Sequence, residues 1–163
     1  MPVPAQILAA AAIFRQNDML LPKSFEGLSA EEWNRRPSDT SNSLLWELGH
    51  ITWARRSTLR FLGVDWNTPW LNEFARGKSA ADVARYPAPE EAIAAFKEVS
   101  AVLTAALESA TVETLSAPPP DKAPPSLDGT VGGIIGFLAY HETYHVGQAA
   151  YISRWLGHPQ VMG

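Results

Sequence analysis

Apolar residues recur along four stretches of the chain at the three- and four-residue spacing of an amphipathic α-helix. The predicted helices cover residues 4–21, 43–61, 89–107 and 131–156. Capping residues support these boundaries, since Ser43 and Thr130 stand at helix starts and Gly157 follows the last helix. No segment alternates apolar and polar residues as a half-buried strand would. We therefore predict an all-α protein with a single domain over residues 1–163.

Four long amphipathic helices without strands favour a four-helix bundle. The connection between the second and third helices, residues 64–88, is the longest. A connection of this length can return along the whole bundle, which predicts that these two helices run parallel. A proline-rich stretch at residues 116–129 is expected to form a stiff linker or the rim of a site. Ser29 and Glu32 match a capping box, which predicts a short helix over residues 30–35.

Composition narrows the classes of partner. The net charge of −4 argues against nucleic acid, because phosphate binding needs a basic surface. No apolar run reaches membrane length and no basic residue precedes Arg15, so we expect no membrane partner, no signal peptide and a cytoplasmic location. The chain has no cysteine, which excludes disulfides, cysteine-bound zinc and a cysteine nucleophile. Any thiol chemistry would need a co-substrate.

Histidines mark the second and last predicted helices. His141 and His145 are four residues apart, so their imidazoles share one helix face with Cβ atoms about 5–6 Å apart. Both can then bind one metal ion at about 2.0–2.1 Å. This face is apolar from Ile134 to Trp155, and His50 is central in the apolar face of the second helix. Such histidines are either hydrogen-bonded core residues or metal ligands, and three on facing helices favour a catalytic metal site with an open fourth position.

Two other metal patterns are weaker. The last helix matches the H-E-x-x-H pattern of zinc peptidases, in which Glu142 would be the catalytic base. Against a peptidase, Gln148 replaces the glycine of the extended pattern and no acidic residue follows Glu142. Glu47 and His50 match one Glu-x-x-His motif of di-iron bundles, but the second motif is absent. His158 lies beyond the last helix and is not expected to bind metal.

Several neighbours of the histidines are expected to support the site. Glu47 and Gln148 share the histidine faces and are expected to orient a ligand or contact substrate, or else to make ordinary polar contacts. Trp53 and Tyr144 flank the histidines and are expected to wall a pocket, unless they are plain core residues. Helical spacing predicts a solvated face for Arg55.

Two segments resemble the DinB-like (DinB/YfiT) superfamily of four-helix-bundle metalloproteins. Residues 43–53 (SLLWELGHITW) are similar to the first histidine helix of the family, and residues 129–157 contain the more specific HETYHVGQ. The resemblance implies an up-down-down-up helix order, often in a dimer, and a divalent metal held by His50, His141 and His145. Three imidazoles suit zinc, nickel, iron or copper, of which we expect zinc or nickel.

The same resemblance implies an activity. Characterised relatives include S-transferases and isomerases that use low-molecular-weight thiols. We therefore expect a metal-dependent enzyme that transfers a small thiol to a small-molecule substrate, as a homodimer. Two alternatives stay open, a metal-dependent hydrolase of amides or esters and a metal-binding stress-response protein without turnover. They differ in whether turnover occurs and whether it needs an added thiol.

Overall fold

The computed structural model describes residues 2–78 and 83–162, and all regular secondary structure in these ranges is helical. Four long helices correspond to the predicted ones, and a short helix precedes the last of them. The helices are α1 (Leu8–Leu20), α2 (Leu44–Phe61), α3 (Pro89–Ser109), α4 (Val112–Ser116) and α5 (Val131–Trp155). The predicted all-α class is confirmed, whereas the apolar pattern does not predict α4.

Side-chain caps set the starts of the two helices that carry the histidines. The Ser43 hydroxyl accepts a hydrogen bond from the backbone N–H of Trp46 at 3.3 Å. The Thr130 hydroxyl does the same for the N–H of Gly133 at 3.1 Å. Each cap satisfies an N–H group that has no partner within its helix. Both helix starts agree with the sequence prediction.

The predicted short helix of residues 30–35 is wrong in extent and type. The Ser29 N–H donates to the Glu32 carboxylate at 2.7 Å, which is the contact expected in a capping box. Only one 3-10 turn forms, over Glu32–Asn34. The backbone is already extended at Arg35, with ψ of 142°, so the turn cannot continue as a helix.

α2 and α3 run parallel, as the long connection between them predicts. Leu45 near the start of α2 shares an apolar cluster with Phe96 in the first half of α3. Leu59 near the end of α2 shares another cluster with Leu103 in the second half of α3. The chain between the helices therefore returns along the bundle before α3 begins. This connection includes residues 79–82, which lie outside the described residues.

The direction of α5 completes the topology. Contacts along α5 pair Gly132 with Ile7, Glu142 with Asn17, Glu142 with Arg55, and His145 with Glu47. From the start of α5 to its end, the contacted residues in or beside α1 have increasing residue numbers, so α1 and α5 are parallel. In the same direction, the contacted residues in α2 have decreasing residue numbers, so α2 is antiparallel to α5. The order is up-down-down-up, and the predicted four-helix bundle with its long crossover is confirmed.

Two apolar clusters fill the bundle, one towards each end. The first contains Ile7, Phe14, Leu59, Leu103, Leu107, Ile134 and Leu138. The second contains Leu21, Leu44, Leu48, Ile51, Phe96, Val146 and Ile152. A buried polar layer of Asn17, Arg55 and Glu142 lies between the clusters along the sequence of each helix. Buried polar groups of this kind need hydrogen-bond partners to be tolerated.

Arg55 is the centre of this polar layer, with only 1% of its surface exposed. Its Nε and Nη2 donate to the two carboxylate oxygens of Glu142 at 2.8 and 2.7 Å, which makes a bidentate pair. Its Nη1 donates to Asp18 on α1 and to Ser100 on α3, each at 2.5 Å. Asn17 also donates to the Glu142 carboxylate, at 3.1 Å. One guanidinium thus connects all four long helices.

The expectation that Arg55 lies on a solvated face is wrong. Its face of α2 points away from the histidines, but the other three long helices cover that face as well. Burial alone lowers the pKa of Arg55, yet the carboxylates of Glu142 and Asp18 outweigh burial and raise the pKa above its ordinary value. Arg55 therefore remains charged inside the bundle.

The outer surface differs from the predicted pattern at the end of α5. Trp155 continues the apolar face in sequence but is 41% exposed. The guanidinium carbon of Arg35 lies 5.2 Å from the centre of the Trp155 ring, a cation–π distance.

Among the described residues, no helix combines the length and the apolar character needed to cross a lipid bilayer.

Replacing Glu142 with Gln should lower the free energy of unfolding by about 3–5 kcal/mol, because the buried Arg55 loses its bidentate charged partner. Urea unfolding followed by circular dichroism measures this change. The double variant Arg55→Met/Glu142→Leu removes both charges and should unfold at a higher urea concentration than Glu142→Gln. An unchanged urea midpoint for Glu142→Gln would contradict the central role of this pair.

Candidate metal centre

His50, His141 and His145 meet between α2 and α5. One ligand nitrogen from each imidazole lies within 4.8 Å of the others. The centre of the His50 ring is 5.3 Å from that of His141 and 4.5 Å from that of His145. In the described part of the chain, no other group of three histidine or carboxylate side chains is close enough to share a metal. The fold thus brings together the three histidines that the sequence proposes as ligands.

A backbone carbonyl orients His50. The Nδ1 of His50 lies 2.7 Å from the carbonyl oxygen of Phe74, and because a carbonyl only accepts, Nδ1 carries the proton. The Nε2 lone pair is then available on the side of the other two histidines. Trp46 stacks on the imidazole at 4.6 Å between ring centres, and Trp53 lies 5.5 Å from it. These contacts fix both the tilt and the tautomer of His50.

The close approach of Phe74 depends on a glycine in α2. A Cβ atom at Gly49 would lie 2.3 Å from the Phe74 ring, closer than any real Cβ contact. Phe74 itself is fully buried. Gly49 therefore allows the Phe74 carbonyl to reach His50, which is the residue after Gly49 in the sequence.

A carboxylate orients His145. The Nδ1 of His145 donates to the Glu47 carboxylate at 2.7 Å, and the other oxygen of Glu47 accepts a hydrogen bond from Asn42 at 2.7 Å. Glu47 is fully buried in the first turn of α2, where the helix dipole favours a negative charge. A carboxylate that holds the outer nitrogen of a histidine fixes its tautomer and raises its basicity as a ligand.

His141 has fewer partners than the other two histidines. Its Nε2 lies 3.2 Å from the Nε2 of His145, whereas its buried Nδ1 has no hydrogen-bond partner among the described residues. The ring of Phe137 is 6.3 Å away, one turn earlier on α5. His141 is half-buried and faces the solvent-connected side of the cluster.

Burial keeps two of the histidines neutral. It lowers the pKa of His50 to about 3, although the hydrogen bond to Phe74 partly opposes the effect. Burial also lowers the pKa of His141 to about 4, and electrostatic interactions with His145 and Arg76 lower it further by smaller amounts. Both imidazoles are therefore neutral at pH 7, with one ring nitrogen free of a proton, which is the state that binds a metal ion.

The arrangement of nitrogens fits a divalent cation. Ligand nitrogens in a tetrahedral site with bonds of about 2.0–2.1 Å lie about 3.4 Å apart. The Nε2 atoms of His141 and His145 are already 3.2 Å apart. The outer nitrogens of His50 and His145 are held by acceptors, so the lone pairs of their inner nitrogens converge on the cluster. Three imidazole nitrogens and one open side are the ligand set of a catalytic metal site.

Glu142 has no place at this centre. It follows His141 in sequence, but the next position of a helix points about 100° away. The Glu142 carboxylate is 1% exposed and is fully engaged by Arg55 and Asn17 in the polar layer. The carboxylate therefore cannot act as the base that the H-E-x-x-H pattern of a peptidase requires.

A cleft of about 640 Å³ opens over the three histidines. Its walls are largely apolar and aromatic, formed by Trp46, Trp53, Phe137 and Leu138. Its outer rim is formed by the loop after Phe74 and by the proline-rich segment of residues 122–125. The expectation that the proline-rich stretch forms a site rim agrees with this position. The cleft is large enough for a small molecule.

The remaining residues proposed from the sequence lie at different distances from the cleft. Trp53 lines it beside His50. Tyr144 contacts the His145 ring edge-on at 5.2 Å, but it is 57% exposed and lies outside the cleft lining. Gln148 lines a separate polar cleft with Glu47 and Asn42, and its buried Oε1 has no hydrogen-bond partner in the described ranges. His158 lies far from the cluster in the fold and contacts Glu32 at 3.2 Å.

Sequence reasoning missed several contributors to the site. Phe74 acts through its backbone carbonyl, which leaves no pattern in the sequence. Arg76 and Lys122 line the cleft from two loops, where helical periodicity says nothing. Asn42 had a usable signal, because it adjoins the cap of α2 and so lies next to the first-turn Glu47.

Comparison with known proteins agrees with this geometry. The model of the DinB superfamily matches residues 13–149. The chain belongs to the DinB superfamily. No match was found among the curated proteins. The match to the family model is what assigns this chain to the DinB superfamily.

Among solved structures, the chain is similar to YfiT from Bacillus subtilis. The TM-score is 0.67 with 15% sequence identity, over 93% of this chain and 87% of the other. YfiT is described as a probable metal-dependent hydrolase with an unusual four-helix bundle topology. At this identity the similarity establishes a shared fold. It agrees with the up-down-down-up order of α1, α2, α3 and α5.

We expect Gly49→Ala to weaken metal binding, because the added methyl group displaces Phe74 and the carbonyl that holds His50. The metal affinity should fall about 10- to 100-fold, as is typical when a partner of a ligating histidine is lost. Competition with a chromophoric chelator measures the affinity. The matched control is Gly147→Ala in α5, where no atom lies within 4 Å of the added Cβ. The control should keep its metal affinity and should gain up to about 1 kcal/mol of stability.

We also expect Glu47→Gln to weaken metal binding by about 10- to 100-fold, because a neutral amide orients and polarises His145 less than a carboxylate does. Zinc titration against the same chelator gives the affinity. The control is Glu108→Gln on the exposed side of α3, which should behave like the unchanged protein. Equal affinities for the Glu47 and Glu108 variants would show that Glu47 does not support the ligand.

Proposed function

We propose that this protein is a divalent-metal-dependent enzyme in which His50, His141 and His145 hold the metal, and that it transfers a small thiol to an electrophilic small molecule. The observation that carries the proposal is the direction of the imidazoles, two of which have their outer nitrogens held by acceptors. Their inner lone pairs then face one open cleft. We expect zinc or nickel as the metal.

A metal bound there would lower the pKa of a ligand in the open position and so supply a nucleophile at neutral pH. The protein residues have supporting tasks. Phe74 and Glu47 keep the ligating histidines in the correct tautomer. Trp46 and Trp53 exclude water from one wall of the cleft. Both effects keep the site rigid and its dielectric low.

The cleft favours a thiol over water as the nucleophile. No carboxylate lines it among the described residues, since Glu142 is turned into the polar layer and Glu47 bonds outward from the ligand. A cleft without a general base suits a nucleophile that loses its proton easily. A thiol has a pKa of about 8.5 even before it reaches a metal, whereas water, at about 15.7 in bulk, depends wholly on the metal to become a nucleophile at neutral pH. The chain has no cysteine, so this thiol must come from a co-substrate.

A metal-dependent hydrolase is the second candidate function. It is supported by the description of YfiT as a probable metal-dependent hydrolase on a similar fold. Three histidines also form the ligand set of some catalytic zinc sites that act on water. The two functions make different demands, because only the transferase needs an added thiol.

A homodimer and a cytoplasmic location stay predictions. Exposed apolar side chains, among them Met19 of α1 and Tyr140 of α5, are compatible with a subunit interface. A metal-binding protein without turnover is the outcome that remains if both enzyme assays fail.

Elemental analysis of the purified protein should find about one divalent ion per chain, and His50→Ala should lose it, because removal of one of three ligands destroys the site. His158→Ala is the control, since that histidine lies outside the cluster and should leave the metal in place. Full metal retention in His50→Ala would remove His50 from the site and with it the proposed centre.

Turnover of the metal-loaded protein should depend on an added thiol. The assay mixes an electrophilic chromophore with cysteine or glutathione, and a parallel assay offers nitrophenyl esters without thiol. Thiol-dependent turnover that disappears in His141→Ala supports the transferase. Ester hydrolysis that needs no thiol would favour the hydrolase instead.

A further inference from the structure

The charged side chains that line the described part of the cleft have one sign. Arg76 and Lys122 line it from opposite loops, and no Asp or Glu does so among the described residues. The three histidines below them carry no compensating negative charge. Glu47, the nearest carboxylate in the site, is fully buried and already accepts hydrogen bonds from His145 and Asn42. The mouth of the cleft is therefore electropositive in a protein whose net charge is −4.

Arg76 and Lys122 also lack partners among the residues that the structure describes. Neither side chain forms an ion pair or a hydrogen bond with another described residue. Arg76 is exposed directly after the buried turn that ends at Phe74. Lys122 has a φ of 62°, a left-handed conformation that is uncommon for residues other than glycine and asparagine. The loop thus holds a lysine at a position where backbone geometry alone would favour another residue.

The deeper part of the cleft has the opposite character. Trp46, Trp53 and Phe137 provide flat apolar walls between the charged mouth and the histidines. A ligand that fits this gradient carries a negative group at one end and an apolar or aromatic body behind it. The cleft volume of about 640 Å³ accommodates such a molecule.

We propose that the cleft binds an anionic small molecule, with its carboxylate or phosphate group between Arg76 and Lys122 and its apolar body against Trp46, Trp53 and Phe137. Arg76 offers the planar fork of donors that suits either anion, and Lys122 adds a point charge. The proposal deepens the proposed function, because it assigns the substrate class of the same site. It does not depend on which nucleophile reacts.

The test measures binding and not turnover, so that it stands apart from the test of the enzyme. The probes are 3-phenylpropionate and its neutral amide, 3-phenylpropanamide, titrated into ¹⁵N-labelled protein with and without zinc. We expect the carboxylate to bind about tenfold more tightly than the amide at low salt, which is the size expected for charge-assisted hydrogen bonds near a surface. The preference should shrink as the salt concentration rises. Phenyl phosphate is the third probe, and tighter binding of it than of 3-phenylpropionate would identify phosphate as the preferred anion.

Variants locate the preference. Arg76→Gln/Lys122→Gln should bind the amide as before and lose the preference for the carboxylate. Lys122→Gly removes the charge and relieves the left-handed backbone, so it should reduce the preference without loss of stability. The matched control is Arg60→Gln/Lys97→Gln, which removes the same two residue types from exposed positions on α2 and α3. This control should keep the full preference.

Three results would overturn the anion site. They are equal binding of the carboxylate and the amide, no binding of any probe, and a preference that survives Arg76→Gln/Lys122→Gln. Each of these leaves the metal content and the thiol assay untouched. Conversely, absence of metal from the purified wild-type protein would contradict the enzyme proposal. The preference for the carboxylate could still be measured without zinc.

Discussion

The buried pair of Arg55 and Glu142 is the constraint on which the rest of the structure depends. A guanidinium inside a bundle is tolerated only when each of its donors finds an acceptor. Those acceptors come from α1, α3 and α5, so the four long helices must adopt one rotation and one vertical register to satisfy it. Apolar side chains on either side would accept many small shifts, whereas a bidentate ion pair accepts very few.

This constraint reaches the metal centre through α5. Glu142 lies between His141 and His145 in sequence, and the helix turns it to a neighbouring face, about 100° from His141. When Glu142 is locked onto Arg55, the two histidines are held towards α2 and His50. The five residues from His141 to His145 thus serve the fold on one helix face and the site on the other. A motif known for catalysis elsewhere has its acidic residue assigned to structure here.

Around the histidines, the tasks are divided between helices and loops. α2 and α5 supply the three candidate ligands and the carboxylate that orients one of them, because regular helices hold side chains at fixed spacing. The loops supply groups that follow no helical spacing in the sequence. These groups are the Phe74 carbonyl and the cationic side chains of Arg76 and Lys122 at the mouth of the cleft. The geometry of the histidines is therefore tied to the bundle, while the rim of the cleft belongs to loops that can vary without disturbing the histidines.

The sequence by itself determined the four long helices, the bundle and the choice of the three histidines, because helical periodicity and cap residues are local signals. It also indicated the parallel course of α2 and α3 through the length of the link between them. Only the tertiary structure decided that Arg55 and Glu142 are buried and paired. A helix surrounded by three others buries two faces, and the hydrophobic stripe in the sequence marks only one of them. The same holds for Phe74, Arg76 and Lys122, which reach the site from loops whose paths depend on contacts far apart in sequence.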